Sequence, residues 1–529
     1  MKIIVAEKVA SNAIQLLREE ADWAVLTHEQ LNGDLAGTLS DADALIVRSA
    51  VDVNAGLLRN ASKLRVIGRA GVGVDNIDLE AATKAGIAVM NTPGANAVAV
   101  AEHTLALMLA LARYICRADS TTRAGKWEKK SLQGTELRGK TLGIVGLGRI
   151  GMEVARRASA FEMKIIAHDP FVAAKVAAER GIRLVDLEEI YASSDYVSLH
   201  VGLTPQTTGM INEKSLAKMK RGVRIINCAR GELIDEAALA AAISSKHVGG
   251  VALDVFTEEP PKNSPLLSLE NVIATPHIAG STNEAQDAVG VQIASQVREY
   301  LKRGVIQNAV NMPSIEHEQY VQMRPYIALA EKLGAFLAHM INGPVQEITV
   351  HYGGQITEWK TELIRNAAIQ GVLNQLVAER ANVVNAAAIA HERGIQIHEG
   401  KLAPGSDGAA GNVIAVKLRT SSGEHSGRGT MLLGGSLRLI GVDNIRIEIP
   451  LEGKLICIRN NDVPGVVGKI GTILGKHSIN IANLALGRSK ESGKWEAIAM
   501  VQVDSSAPED VLQEIRRMAE VQDVRSIEF

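Results

Sequence analysis

Short apolar runs alternate with amphipathic stretches from the first residues of the chain. KIIVAE, DALIVRS, LRVIGRAG and GIAVMNTP read as strands, with helices such as SNAIQLLREE between them, the βαβ rhythm of a parallel sheet. The longest apolar stretch, AVAVAEHTLALMLALARYIC at 97–116, is interrupted by Glu102, His103 and Arg113. That predicts a buried interdomain helix rather than a membrane span. The βαβ rhythm then resumes through TLGIV, KIIAHD, DYVSLHV, VRIINCARGELID, VGGVALDVF and NVIATPHIAG. These strands predict a second doubly wound sheet in residues 97–284. An amphipathic helix at 282–302 is expected to return to the first unit, which makes that unit discontinuous (1–96 and 285–305) with the second inserted into it.

The pattern changes at residue 306. Ala-rich helices mix with strand-like EITVHYGG and GNVIAVKLRT, which predicts a separate α+β module over 306–452, with Pro313 and Pro344 at boundaries or turns. Its polar, Gly-rich span GEHSGRG (423–429) reads as a hairpin turn. Residues 453–529 follow the order strand, Pro-Gly loop, helix, strand, strand, helix, strand, a βαββαβ unit.

Composition narrows the partners. The 529 residues exceed what one core accommodates. The 57 basic and 59 acidic residues leave a net charge of -2. No global field therefore draws the chain to nucleic acid or membrane, and any anion must be captured locally. Cys116, Cys228 and Cys457 are far apart and lack a ligand spacing, so neither a disulfide framework nor a metal site is expected. A reducing, cytoplasmic setting fits, and the start, MKIIVAEKVA, lacks a signal-peptide core.

The sharpest motif is Gly146-Leu-Gly148-Arg-Ile-Gly151, between the strand TLGIV and a helix, with Asp169 closing the next strand. Gly146 permits a tight turn, Gly148 lets backbone approach a pyrophosphate, and Gly151 lets the helix pack on the strand. Free amides at the helix start favour the anion. Asp169 can accept from both ribose hydroxyls and would repel a 2′-phosphate, which indicates NAD rather than NADP. The fold class is thus α/β: a flavodoxin-like doubly wound domain and a Rossmann NAD domain, both parallel-sheet, followed by an α+β module and a βαββαβ domain.

Candidate chemistry gathers at strand ends of the two sheets. In the nucleotide unit these are Arg230 in NCARG, Glu259 in TEEPP and His277 in TPHIAG. Oxidation of a secondary alcohol needs a base, and histidine titrates in the working range. A carboxylate would orient the ring, and an arginine would hold a substrate carboxylate and polarise its neighbouring carbonyl. In the first unit Arg48-Ser49, Arg69 to Gly71 and Asn91 to Asn96 follow strands, and the arginine forks suit carboxylate or phosphate. Each residue has a plainer alternative: a loop histidine, a turn-capping glutamate, a sheet-bracing or surface arginine. Lys129-Lys130 is by default a solvated loop that can assist a phosphate.

VGLGRIG, HDP, INCARG, ALDVFTEEPP and ATPHIAGST occur in the order of the D-isomer-specific 2-hydroxyacid dehydrogenase family, which the chain resembles. More closely it resembles the long-form phosphoglycerate dehydrogenase branch, which carries an intervening allosteric substrate-binding domain and a C-terminal ACT domain. The resemblance implies Arg230, Glu259 and His277 as catalytic residues. It implies NAD contacts at Arg149, Ile150, Asp169, Cys228, Ala229, Arg230, Asp254 and His277 to Gly280, and substrate contacts at Arg48, Ser49, Arg69 and Asn96. It further implies oxidation of 3-phosphoglycerate in serine biosynthesis, a homotetramer, and L-serine bound between two ACT domains by Asp462 and Asn480, with Pro464, Gly465 and Gly468 completing the loop pattern. Val72 and Val201 stand where relatives often have Thr, and Asn460 where some have Tyr. Two other readings remain: a hydroxypyruvate or glyoxylate reductase, which a C-terminal effector domain disfavours, and an NAD(H)-sensing regulatory protein, for which the chain lacks a long low-complexity tail.

Overall fold

The computed structural model describes residues 1–529 apart from 314, 316, 378–379, 403–410, 433 and 492–493. Strands β1 (Lys2–Val5), β2 (Ala24–Thr27), β3 (Ala44–Val47), β4 (Val66–Arg69) and β5 (Ala88–Met90) form a parallel sheet in the order β2-β1-β3-β4-β5. Every residue of β3 is buried, as expected of a strand covered on both faces. One covering element is the Asn283–Arg303 helix. Gly68 in β4 has no room for a side chain, since a Cβ there would lie 2.7 Å from Ile293. After this helix the chain stays beside the sheet, with Asn91 N–H donating to the Asn308 carbonyl and Val310 N–H to that of Val89.

A second parallel sheet holds β6 (Thr141–Val145), β7 (Lys164–His168), β8 (Arg183–Leu184), β9 (Tyr196–Leu199), β10 (Val223–Asn227), β11 (Val248–Leu253) and β12 (Val272–Ala274). Its order is β12-β11-β10-β9-β6-β7-β8, so the strand order reverses at β6 and β9, where such sheets bind ligands. The apolar stretch predicted as one interdomain helix is two. Ala97–Arg113 packs Leu105, Met108 and Leu111 into the core of this sheet. Tyr114, at φ 54°, then turns the chain by 64° into Ile115–Arg123. Among the described residues no single helix is long and apolar enough to cross a membrane, although the bent pair meets that test by length and composition.

The third sheet is β13 (Val345–Gly353), β14 (Gln396–Lys401), β15 (Val413–Thr420), β16 (Gly423–Met431), β17 (Leu437–Val442) and β18 (Ile445–Pro450), in the order β14-β13-β15-β16-β17-β18. Helices His317–Met340 and Glu362–Leu376 cross at close range: a Cβ on Gly371 would lie 2.0 Å from the Glu331 carbonyl oxygen. The GEHSGRG span is not the predicted turn but lies within β16. Its glycines serve packing, since Gly427 and Gly429 lie against Leu333, Leu337 and Leu329 of the helix above, and a Cβ on Gly429 would come within 2.8 Å of Leu329.

The last sheet comprises β19 (Lys454–Asn461), β20 (Ile481–Glu491), β21 (Lys494–Val503) and β22 (Val521–Glu528), antiparallel in the order β20-β21-β19-β22. Helices Val466–Lys476 and Glu509–Arg516 complete the βαββαβ unit. Arg459 pairs with Asp443, and Arg525 donates to Asn342 at 3.1 Å, tying this unit to the third sheet.

Candidate active site

Strand ends from the first two sheets converge on a cleft of about 420 Å³. Arg48, Ser49, Arg69 and Asn96 line it from the first sheet's side. Ile150, Cys228, Ala229, Arg230, Asp254, His277 and Gly280 line it from the second, so most of the predicted residues meet there. Val72 and Val201 are also on its wall and leave it without a hydroxyl at those points.

The glycine turn lies at the head of the Arg149–Ala160 helix. Gly146 adopts φ 93°, and a Cβ there would lie 2.6 Å from the His200 carbonyl oxygen. Gly151 meets the Gly146 carbonyl oxygen, with a Cβ distance of 2.1 Å, so the helix packs directly on the turn. Gly148 is different: nothing lies within 4 Å of its missing side chain. Packing does not require that glycine, whereas a pyrophosphate approaching the backbone does. Asp169 accepts N–H bonds from Leu147 and Phe171, each at 2.8 Å, which fixes its carboxylate beside the turn. These residues fit a dinucleotide. The Arg149 side chain crosses to the first domain, donating to the Pro93 carbonyl and packing against Gly94.

His277 Nδ1 is 2.7 Å from Glu259 Oε2, and Glu259 Oε1 accepts from Phe256 N–H at 3.1 Å. Glu259 is not on the cleft wall and reaches it only through the imidazole. Arg230 bridges the domains, with Nε 3.1 Å from Asp75 of the first domain. Arg69 Nε is buried without a hydrogen-bond partner, as is Asn96 Oδ1. Burial, then the charges of Arg230 and Arg48, push the Arg69 guanidinium below its ordinary range, against the pull of Asp75 and Glu7. Asp254 is fully buried. Burial pushes its carboxyl up, but hydrogen bonds from His103, Thr275 and the Ile278 and Ala279 amides outweigh it and hold it below the usual range. Burial pushes His200 down to about 4 and the Cys228 thiol up to about 12, so neither is placed to exchange protons near neutrality.

The sequence reading missed Asp75, which no motif marks, and His103, whose signal was a lone histidine inside an apolar helix. Lys129 and Lys130 are exposed and do not line the cleft. In the last domain Asp462 follows β19, and Asn480 precedes β20. The register sets Asn461 level with Glu496, and both Lys454 and Ile481 level with Val503. Asp462 and Asn480 therefore sit at opposite ends of one sheet. Each has an internal partner: Arg488 Nε donates to Asp462 at 2.6 Å, and Asn480 to Asp504 at 2.7 Å. Asn460 is buried with its amide nitrogen unpartnered.

Residues 105–279 match the family model of the NAD-binding domain of D-isomer-specific 2-hydroxyacid dehydrogenases, so fold and site define an NAD-dependent oxidoreductase of that class. Residues 322–443 match the D-3-phosphoglycerate dehydrogenase intervening domain, and 455–520 the ACT domain. The chain is 40% identical to D-3-phosphoglycerate dehydrogenase of Methanocaldococcus jannaschii, covering 100% of this chain and 99% of that one. It is also 40% identical to the Synechocystis enzyme of the same name, covering 100% and 95%. D-lactate dehydrogenase from Aquifex aeolicus, solved with NAD and lactic acid, superposes with a TM-score of 0.52 at 30% identity, spanning 59% of this chain and all of that one. The chain belongs to the D-3-phosphoglycerate dehydrogenase family.

Proposed function

We propose that the chain oxidises 3-phospho-D-glycerate to 3-phosphooxypyruvate with NAD, opening the phosphorylated route to L-serine. The observation that carries this reading is the convergence of Arg48, Arg69 and Arg230 on one cleft, where Arg69 is depressed by burial and by its cationic neighbours. Such a concentration of positive charge is relieved by a ligand carrying both a carboxylate and a phosphate. In this reading Arg230 grips the carboxylate beside the reacting carbon, and Arg48 and Arg69 hold the remaining anionic groups. His277 takes the hydroxyl proton on Nε2, while Glu259 at Nδ1 fixes the tautomer and stabilises the imidazolium. Gly146, Gly148, Gly151, Arg149, Ile150 and Asp169 hold the NAD, which supplies the hydride acceptor. Asp254 lines the cleft beside the cofactor's place and also grips the His277 loop through the Ile278 and Ala279 amides.

For the last domain we propose L-serine as effector, held between two copies. Asp462 and Asn480 lie at opposite ends of one sheet, so a two-fold pair of domains would bring Asp462 of one chain to Asn480 of the other. The unpartnered amide of Asn460 would add a donor for the ligand's carboxylate. This requires at least a dimer, and the tetramer of the long-form family accommodates it. Cys116, Cys228 and Cys457 are free thiols, in keeping with a cytoplasmic setting.

The test is initial-rate formation of NADH from 3-phosphoglycerate, with and without L-serine. Turnover of 3-phosphoglycerate above that of D-lactate, D-glycerate and glycolate is expected. Better turnover of any of those three rejects the phosphate assignment, and no effect of serine rejects the effector assignment.

A further inference from the structure

His277 sits at φ 54°, a left-handed conformation that residues other than glycine rarely adopt. Such a conformation persists only where the surroundings over-determine it. Here the determinant is Asp254, which follows β11 and is wholly buried. Its Oδ1 accepts the Ile278 N–H at 2.9 Å and its Oδ2 the Ala279 N–H at 2.8 Å, gripping the two peptides that follow His277. On the other side of His277, the Thr275 hydroxyl donates to the same Oδ1 at 2.6 Å. One carboxylate thus spans the loop that carries the proton acceptor.

His103, from the Ala97–Arg113 helix, completes this arrangement. Its Nε2 is 3.2 Å from Thr275 Oγ1 and 3.5 Å from Asp254 Oδ1. The hydroxyl has a single hydrogen and spends it on Asp254, so at this contact the imidazole must be the donor. That assigns the proton to Nε2. The order of donation runs from His103 to Thr275 to Asp254, and the carboxylate's remaining acceptor capacity is directed at the loop amides.

We propose that His103 is a positioning residue for the reaction: by donating from Nε2 to the Thr275–Asp254 pair, it holds the His277 loop in its left-handed turn and so aims the imidazole between Glu259 and the substrate. It touches neither substrate nor NAD and acts through Asp254. The inference rests on the assignment of His277 as proton acceptor.

The experiment is steady-state kinetics of His103→Ala and His103→Gln with 3-phosphoglycerate and NAD, beside NADH binding and thermal midpoints. A misaimed base costs up to about 100-fold in turnover. His103→Ala is expected to lower kcat by about 10- to 100-fold with KM within about threefold. His103→Gln, whose amide nitrogen occupies nearly the place of Nε2, should recover most of kcat. A wild-type kcat in His103→Ala, or equal losses in both variants tracking equal falls in midpoint, overturns the proposal. Should His103→Ala fail to fold, Thr275→Val and Thr275→Ser replace the pair, with loss expected only in the valine variant and equal kcat in the two overturning the proposal. His277→Ala is the control. Its retention of turnover would remove the proton-acceptor assignment itself, whereas its inactivity beside a fully active His103→Ala removes only the positioning role.

Discussion

Asp254 and Asp462 both follow a strand, and the chain uses them in opposite ways. Asp254 is fully buried and gathers a hydroxyl and two amides within one chain, with an imidazole beside them. Asp462 stands at a sheet end, paired with Arg488, whose guanidinium lies 4.9 Å over the Trp495 ring. Around the first, distant segments of one chain arrive at a single cleft. Around the second, the two residues of the proposed effector site lie at opposite ends of one sheet. On the reading proposed above, the chemistry is assembled inside the protomer, while its regulation would need two copies to meet.

The largest expected effect that would break this contrast is at His277. His277→Ala should reduce turnover by about 10²- to 10⁴-fold with NADH affinity within a few-fold, read by rate assay and fluorescence titration. Loss of both together would make the residue structural. Asp254→Asn comes next, because its amide group must face backbone N–H groups that need an acceptor. A fall in kcat together with about 1–3 kcal/mol of lost stability in denaturant melts is expected, and an unchanged kcat would dissolve the link between the buried carboxylate and the base.

Acid stability reports on the cofactor side of the cleft, which His200 lines. His200 has a folded pKa of about 4 against an ordinary 6.5, so the unfolded chain takes up its proton first as pH falls. Stability from this group is complete above pH 6.5 and declines toward pH 4, by at most about 3 kcal/mol. His200→Asn should flatten that slope in thermal melts across the same range. In the third sheet, Gly429→Ala should cost about 1–3 kcal/mol by overpacking against Leu329 while kcat stays at the wild-type value. The smallest effect is at the last domain: Arg488→Ala frees Asp462, and the serine concentration for half inhibition should fall a few-fold with no change in the uninhibited rate.

Both halves were partly legible in the sequence, for different reasons. Strand–glycine–helix order and residues just after strands are local signals, and they led to Gly146, Asp169, Arg230, Glu259 and His277. The Asp254 clamp was not legible, because its partners come from a helix some 150 residues earlier and a loop some 20 later. Composition misled at GEHSGRG: glycine there answers to leucines packed above the strand, which only the tertiary structure supplies. Asp462 and Asn480 were legible as a pattern, but their separation within the chain follows from the β19–β21–β20 register.

On the proposed reading, the cleft of three arginines selects a phosphorylated 2-hydroxy acid. Its most direct measurement is the ratio of kcat/KM for 3-phosphoglycerate to that for D-glycerate, which differ only by the phosphoryl group, in the wild type and in Arg48→Ala and Arg69→Ala. A large preference for the phosphorylated substrate is expected in the wild type, with its collapse in at least one variant and D-glycerate turnover little altered there. A ratio near one in the wild type, or one that survives both substitutions, would contradict it.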